Sequence, residues 1–323
     1  MKISKKYFLP FMFILIAAGC SSANDQDEGK LNDKKTEPIQ QTVTYNIQKA
    51  EPQRLEQIYG LGYPGNDEGL YLSSQEGIKI NTNNGWLEGS SQKHEYVGFQ
   101  ATKDGFISGG HPEKGSNMKD PIGIVKSIDR GATVKPLSFY GEGDFHFLSA
   151  GYDTNVIYII NEKALPELEP GVFISEDEGK SWKPLKLNGL ESDTLGMIAA
   201  HPTNGSIMAM STRSGVFISE DKGQNLKLAT APVMATALAF SENELYYSSV
   251  ENNKVLFHKI DLSTNKAVEI EIPYLNYDNP ITFISVNMKN QNTLSFATYL
   301  NDVYESTDGG ENWNLVLKNG KIE

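Results

Sequence analysis

Between Gly196 and Leu228 short apolar runs alternate with turns. Met197 to Ala200 is apolar, and His201-Pro-Thr-Asn-Gly205 turns. Ile207 to Met210 is apolar, and Thr212-Arg-Ser-Gly215 turns. Val216-Phe-Ile218 follows, Ser219-Glu-Asp221-Lys-Gly223 turns again, and Leu226 to Leu228 closes the unit. Runs this short, bounded by Pro, Gly, Asn and Asp, read as four antiparallel strands. The same cadence recurs along the chain. First strands are expected to begin near Gly60, Gly98, Phe147, Met197, Ala237 and Phe283, each followed by a turn about five residues later.

A hairpin motif keeps step with that cadence. Its clearest copies are Ser175-Glu-Asp177-Glu-Gly179-Lys-Ser181-Trp182 and Ser306-Thr-Asp308-Gly-Gly310-Glu-Asn312-Trp313. Partial copies start at Ser127, with Asp129, and at Ser219, with Asp221; eroded ones start at Asn81 and Ser263. Successive starts lie 46, 48, 44, 44 and 43 residues apart. A strand-patterned period in the forties predicts an all-β propeller. The count gives six four-stranded blades; the alternatives for Val43 to Gln48 are the start of a partial seventh blade or a strand that helps to close the ring.

The motif has a structural logic. The Asp carboxylate accepts backbone N–H groups across the turn, Gly takes a positive φ, and Trp covers the hairpin. It resembles the Asp-box (BNR) repeat of sialidases, sortilin-type receptors, xyloglucan-cleaving glycosidases and photosystem II stability-factor propellers. That resemblance implies that the boxes lie opposite the functional face. Asp129, Asp177, Asp221 and Asp308 are therefore expected to be structural.

From about Ile58 to Trp313 the chain resembles a group of Bacillus-type lipoproteins labelled glycosylhydrolases by repeat similarity. Gly60-Leu-Gly-Tyr-Pro-Gly65, Gly110-His-Pro112, Phe145-His-Phe147 and Tyr277-Asp-Asn-Pro280 carry this likeness. The group often has His where this chain has Tyr59.

The N-terminus changes the picture of where the propeller works. Lys2, Lys5 and Lys6 precede an apolar run of eleven residues, Phe8 to Ala18, and then Ala17-Ala18-Gly19-Cys20. That run is too short for a membrane span. Small residues before a lone cysteine resemble a bacterial lipoprotein signal. Residues 1–19 are expected to be the signal peptide, with Cys20 lipidated and the protein on the outer side of the bacterial cell membrane. Residues 20–40 are polar and read as a disordered tether, leaving 41–323 as the propeller. Cys20 is the only cysteine, so disulfides do not stabilise the exported domain. The formal charge is −12, and removing the three leader lysines makes it more negative still. That argues against nucleic acid as a partner.

Candidate chemistry falls on the end away from the boxes. Asp144, Asp193 and Asp278 stand just before first strands, where they would ring the channel mouth. Paired carboxylates there would suit glycosidic cleavage, with Asp144 and Asp278 as the first pair. Enlarged loops at 109–121 and 161–170 face the same way. His111, His146, Tyr59, Tyr96 and Tyr277 are candidate binding residues. The histidines lack paired metal-ligand spacing, so neither metal nor cofactor is expected. With three arginines, Arg54, Arg130 and Arg213, one of them inside a box, the chain lacks a sialidase's arginine cluster. Two readings stand: a binding or assembly module for a cell-envelope protein or glycan, and a glycoside hydrolase.

Overall fold

The computed structural model describes residues 44–323 except Asp193. The expectations for Cys20, for the signal peptide and tether, and for Asp193 fall outside the described residues. The rest is an all-β propeller of six blades. Each blade is an antiparallel meander of four strands, illustrated by Ile198–Ala200, Met208–Thr212, Gly215–Ser219 and Lys227–Leu228 in blade four. First strands of successive blades contact one another round the ring, and the first strand of blade six meets that of blade one.

Among the described residues there is no seventh blade. Ile47–Lys49 pairs with Gly85–Gly89 and adds a fifth strand to the outer edge of blade one. Closure is made further on, where Gln53–Arg54 pairs with Lys321–Ile322. Both devices leave less open edge for another chain to pair with.

The core is divided among clusters that join neighbouring blades rather than pooled at the centre. One unites Ile107 and Ile124 of blade two with Ile157, Ile159 and Phe173 of blade three. Small residues line the axis, among them Gly62, Ala101, Ala150, Ala199, Ala237 and Ser285, and they leave only about 90 Å³ there. The ring is a packed body with a constricted channel.

The Ser-x-Asp hairpins stitch blades together. In blade three the buried Ser175 hydroxyl donates to Asp177 Oδ1 (2.8 Å) and accepts from the Gly179 N–H (2.8 Å). Ser181 donates to Asp177 from its N–H (2.9 Å) and its hydroxyl (2.6 Å). The same pattern recurs at Asp129, Asp221 and Asp308. Gly179 has φ +86°, and a Cβ there would stand 2.7 Å from Ser138 Oγ of blade two. Trp182 Nε1 donates to that same Ser138 oxygen (3.3 Å), and Trp313 Nε1 to the Glu271 carbonyl after blade five (3.0 Å). The two tryptophan-bearing motifs thus tie their own turns to the preceding blade.

Blade five keeps this function with a displaced acid. Asp261 Oδ1, upstream of the eroded copy, accepts from the backbone of Ser263 (2.9 Å) and Thr264 (2.8 Å).

Candidate functional site

First strands start two or three residues earlier than the sequence cadence places them in four blades. They run Ile58–Gly62, Glu95–Thr102, Met234–Phe240 and Ile281–Val286. Each carries a β-bulge near its start, at Ile58/Gly60, Val97/Gln100, Ala235/Ala237 and Ile281/Phe283. A bulge adds a residue and re-aims the side chains beside it. The added residues form the wall of a cavity of about 830 Å³ at the channel mouth. Ile58, Tyr59, Glu95, Val97, Thr236 and Ile281 all line it.

On the side of blades two and three the cavity is titratable. His111 ends the strand Gly105–His111, paired across from Glu95. Gly110 makes this pairing possible: at φ +119°, a Cβ would lie 1.9 Å from the Glu95 carbonyl oxygen. His111 Nδ1 is 2.6 Å from Asp120 Oδ1, and its Nε2 is 3.6 Å from Asp144 Oδ2. His146 Nε2 is 2.9 Å from that same Asp144 oxygen. One carboxylate therefore faces two imidazoles, each delivered by a different blade. Burial opposes the charged form of His111. Its hydrogen bond to Asp120 and the charges of Asp144, Asp120 and Glu95 outweigh that and raise its pKa. Burial, and then the hydrogen bond and negative charge of Glu95, push the Tyr59 phenol well above its ordinary range.

On the side of blades five and six the rim is aromatic and apolar. Tyr299 and Leu300, in the second turn of blade six, line the cavity and stand exposed. Tyr277 and Asp278 are exposed on the loop entering blade six, but Pro280 is the first residue of that loop to reach the cavity wall.

The sequence candidates thus divide. Asp144, His146 and His111 come together beside Tyr59. Asp278 lies on the same end of the ring without lining the cavity. Tyr96 does not face it at all. It is fully buried, edge-on to Phe106 and His94, and offers no surface for stacking. The bulge after Val97 breaks the alternation that would have turned it outward.

Glu95, Tyr299 and Arg54 are the wall residues that sequence reasoning passed over. Arg54, read from the sequence only as one of the arginines, lines the cavity. Arg130 sits in its hairpin, 2.6 Å from Asp67. Among the described residues no group of three or more His, Cys, Asp or Glu side chains is disposed to hold a metal ion.

The family model described as Sortilin, neurotensin receptor 3 (Sortilin-Vps10) matches residues 169–321. No curated protein matches the chain. Among solved structures, the GH74 xyloglucanase from Xanthomonas campestris superposes with a TM-score of 0.52 at 14% identity, over 84% of this chain and 47% of that one. A GH74 enzyme of Niastella koreensis gives 0.53 at 14% identity, over 83% and 46%. A chain of a nidogen–laminin complex gives 0.51 at 10% identity, over 73% and 87%. The chain spans just under half the length of the GH74 chains it matches. At these identities the likeness is one of fold: this chain is a β-propeller, and its site must be read from its own residues.

Proposed function

We propose that the protein is a lipid-anchored propeller on the outer side of a bacterial cell membrane, acting as a binding or assembly module for a cell-envelope protein or glycan. The residues 17–20, and the resemblance of residues 58–313 to Bacillus-type lipoproteins, support the anchor at Cys20 and the tether. The hairpins' resemblance to Asp-box repeats supports a division of labour, with one end structural and the other receptive. The observation that carries the binding reading is the mouth cavity of about 830 Å³, with volume enough for a side chain or sugar, above the packed axis.

A glycan array, a polysaccharide-hydrolysis screen and capture of detergent-extracted cell-envelope proteins, each on the full chain with Tyr299→Ala and Asp144→Asn alongside, test this reading. Retention of a glycan or an envelope protein without turnover, lost in Tyr299→Ala, is the expected outcome. No retained partner, or retention indifferent to that change, overturns it. The anchor has its own test: Cys20→Ala should move the protein from the membrane fraction to the medium.

A glycoside-hydrolase reading keeps one specific observation in its favour. Glu95 and Asp144 both bear on His111 from different blades, so two carboxylates flank one wall of the cavity. They replace Asp144 and Asp278 as the pair to substitute. Sugar release abolished by both Glu95→Gln and Asp144→Asn would establish hydrolysis; no release from any polysaccharide would end that reading.

A further inference from the structure

The two sides of the mouth differ in a way that specifies a ligand. On one side, five of the ten large apolar side chains left exposed among the described residues gather at the mouth end of blades five and six. They are Met234, Tyr274, Tyr277, Tyr299 and Leu300, with exposures of 48%, 78%, 55%, 66% and 49%. On the other side stands Glu95 in the cavity wall, with Asp144 and Asp120 behind the imidazoles, and Glu56 lines the wall next to Asn301 of blade six. Arg54 is the single guanidinium among the wall residues. The wall itself carries two carboxylates, Glu56 and Glu95, and one guanidinium, and the carboxylates of Asp144 and Asp120 lie behind His146 and His111. Glu56 and Glu95 are the acceptor-only side chains of that wall when ionised. A sugar hydroxyl both gives and takes hydrogen bonds, whereas a guanidinium has five donors and no acceptor. A cation is also the group that gains from an aromatic face and a carboxylate together.

We propose that the mouth receives a basic side chain, arginine before lysine, carried on an extended segment of a partner protein. The inference rests on the binding reading above and names its partner's chemistry. The guanidinium enters the cavity between Glu95 and the Tyr299 ring, and the flanking residues of the segment lie over Tyr277 and Leu300. The strongly negative formal charge of the chain, −12, draws such a partner in at long range. Arginine is preferred because its planar fork meets a carboxylate through two donors and stacks on an aromatic ring, which an ammonium does less well.

Isothermal titration of the full chain with the hexapeptides (Gly-Arg)3, (Gly-Lys)3 and (Gly-Glu)3, and with cellohexaose, tests the proposal. (Gly-Arg)3 should bind most tightly and (Gly-Glu)3 not at all. Tyr299→Ala and Glu95→Gln should each weaken (Gly-Arg)3 by about tenfold or more, the scale expected for losing one desolvated cation–π or charged contact. Glu311→Gln removes the same charge from the hairpin end and should leave affinity unchanged. Equal weakening by Glu311→Gln and Glu95→Gln would reduce the binding to diffuse attraction and overturn the site. Tighter binding of cellohexaose, sensitive to Tyr299→Ala, would overturn the cation while leaving the mouth a binding site. Binding of none of the probes also overturns it, and the glycan and envelope-protein screen then decides the broader reading separately.

Discussion

Asp177 and Asp144 are the same residue type at opposite ends of one blade, and their surroundings could hardly differ more. Asp177 takes hydrogen bonds from the hydroxyl and N–H of Ser181 and from the Ser175 hydroxyl. Those donors, the Ser181 hydroxyl first, pull its pKa down to about 2. Every donor comes from within four residues, so the tetrad is written into the local sequence. Asp144 meets His146 two residues away and His111 from another blade. Nothing local saturates it, and its partners can themselves gain or lose a proton. An acid whose lone pairs are filled by its own turn holds the ring together. An acid that one partner reaches from another blade remains available for a ligand.

The contrast breaks most sharply under truncation. Ser175→Ala removes the acceptor of the buried Gly179 N–H and a donor to Asp177 together. Leaving a buried donor unpaired costs about 1–3 kcal/mol. Asp144→Asn, at a half-exposed rim, should stay within about 0.5 kcal/mol. Thermal melts of the two variants should therefore separate by several degrees, with only the Ser175 variant falling. If Asp144→Asn destabilises as much, the mouth cluster is a structural device and the division between the two ends is wrong.

Acid sharpens the same contrast. Asp177, Asp221, Asp261 and Asp308 are each lowered from 3.8 to about 2 by hydrogen bonds within their hairpins. Their folded pKa values lie below the unfolded ones, so their stabilisation is complete above about 4 and drains away as pH falls towards 2. Chemical denaturation at pH 5, 3.5 and 2.5 should show stability falling mainly between the last two. Asp308→Asn should flatten that fall.

The same locality explains what could be read in the sequence. The motif spacing fixed six blades because each hairpin is a contiguous string of residues. Asp144, His146 and His111 were recognisable by their positions just before a first strand or in an enlarged loop. Glu95 was hidden because it lies upstream of the bulge after Val97, where the two-residue alternation fails. Tyr96 was misplaced for that reason, its ring turned into the core between blades one and two. Asp261 stands before the eroded motif rather than within it, and its pairing with Ser263 and Thr264 follows no copy of the repeat. Ile47–Lys49 carries too short a pattern to distinguish the edge of a blade from the start of one.

Smaller in energy is the titration of His111. The Asp120 hydrogen bond and the charges of Asp144 and Glu95 hold its pKa above the ordinary value against the effect of burial. Asp120→Asn and Asp144→Asn should each lower it, as followed by imidazole proton shifts in NMR. His201, at the hairpin end, moves the other way, lowered by burial among its backbone partners. It should be indifferent to both changes. A His111 that does not respond to Asp144→Asn would mean that the two imidazoles do not share that carboxylate.

The smallest effect concerns a residue that ought to be glycine. Lys222 holds φ +62° in its hairpin, a left-handed conformation that disfavours any side chain. Its N–H reaches the Ser206 carbonyl (2.8 Å), so the turn fixes the conformation whatever the residue. Its Nζ lies 2.5 Å from Glu176 Oε1 of the preceding blade, an exposed pair. Glu178 and Arg130 occupy the same place in their hairpins and reach Lys126 and Asp67 of the blades before them. The side chain is kept at some conformational cost because it adds one more link between blades. Lys222→Gly relieves about 1 kcal/mol of backbone strain and gives up an exposed ion pair worth about 0–1 kcal/mol. The net change should be slight at low salt and turn stabilising as salt screens the pair in the parent. Urea denaturation at low and high ionic strength measures it. A variant destabilised equally at both would show that Lys222 acts through packing rather than charge.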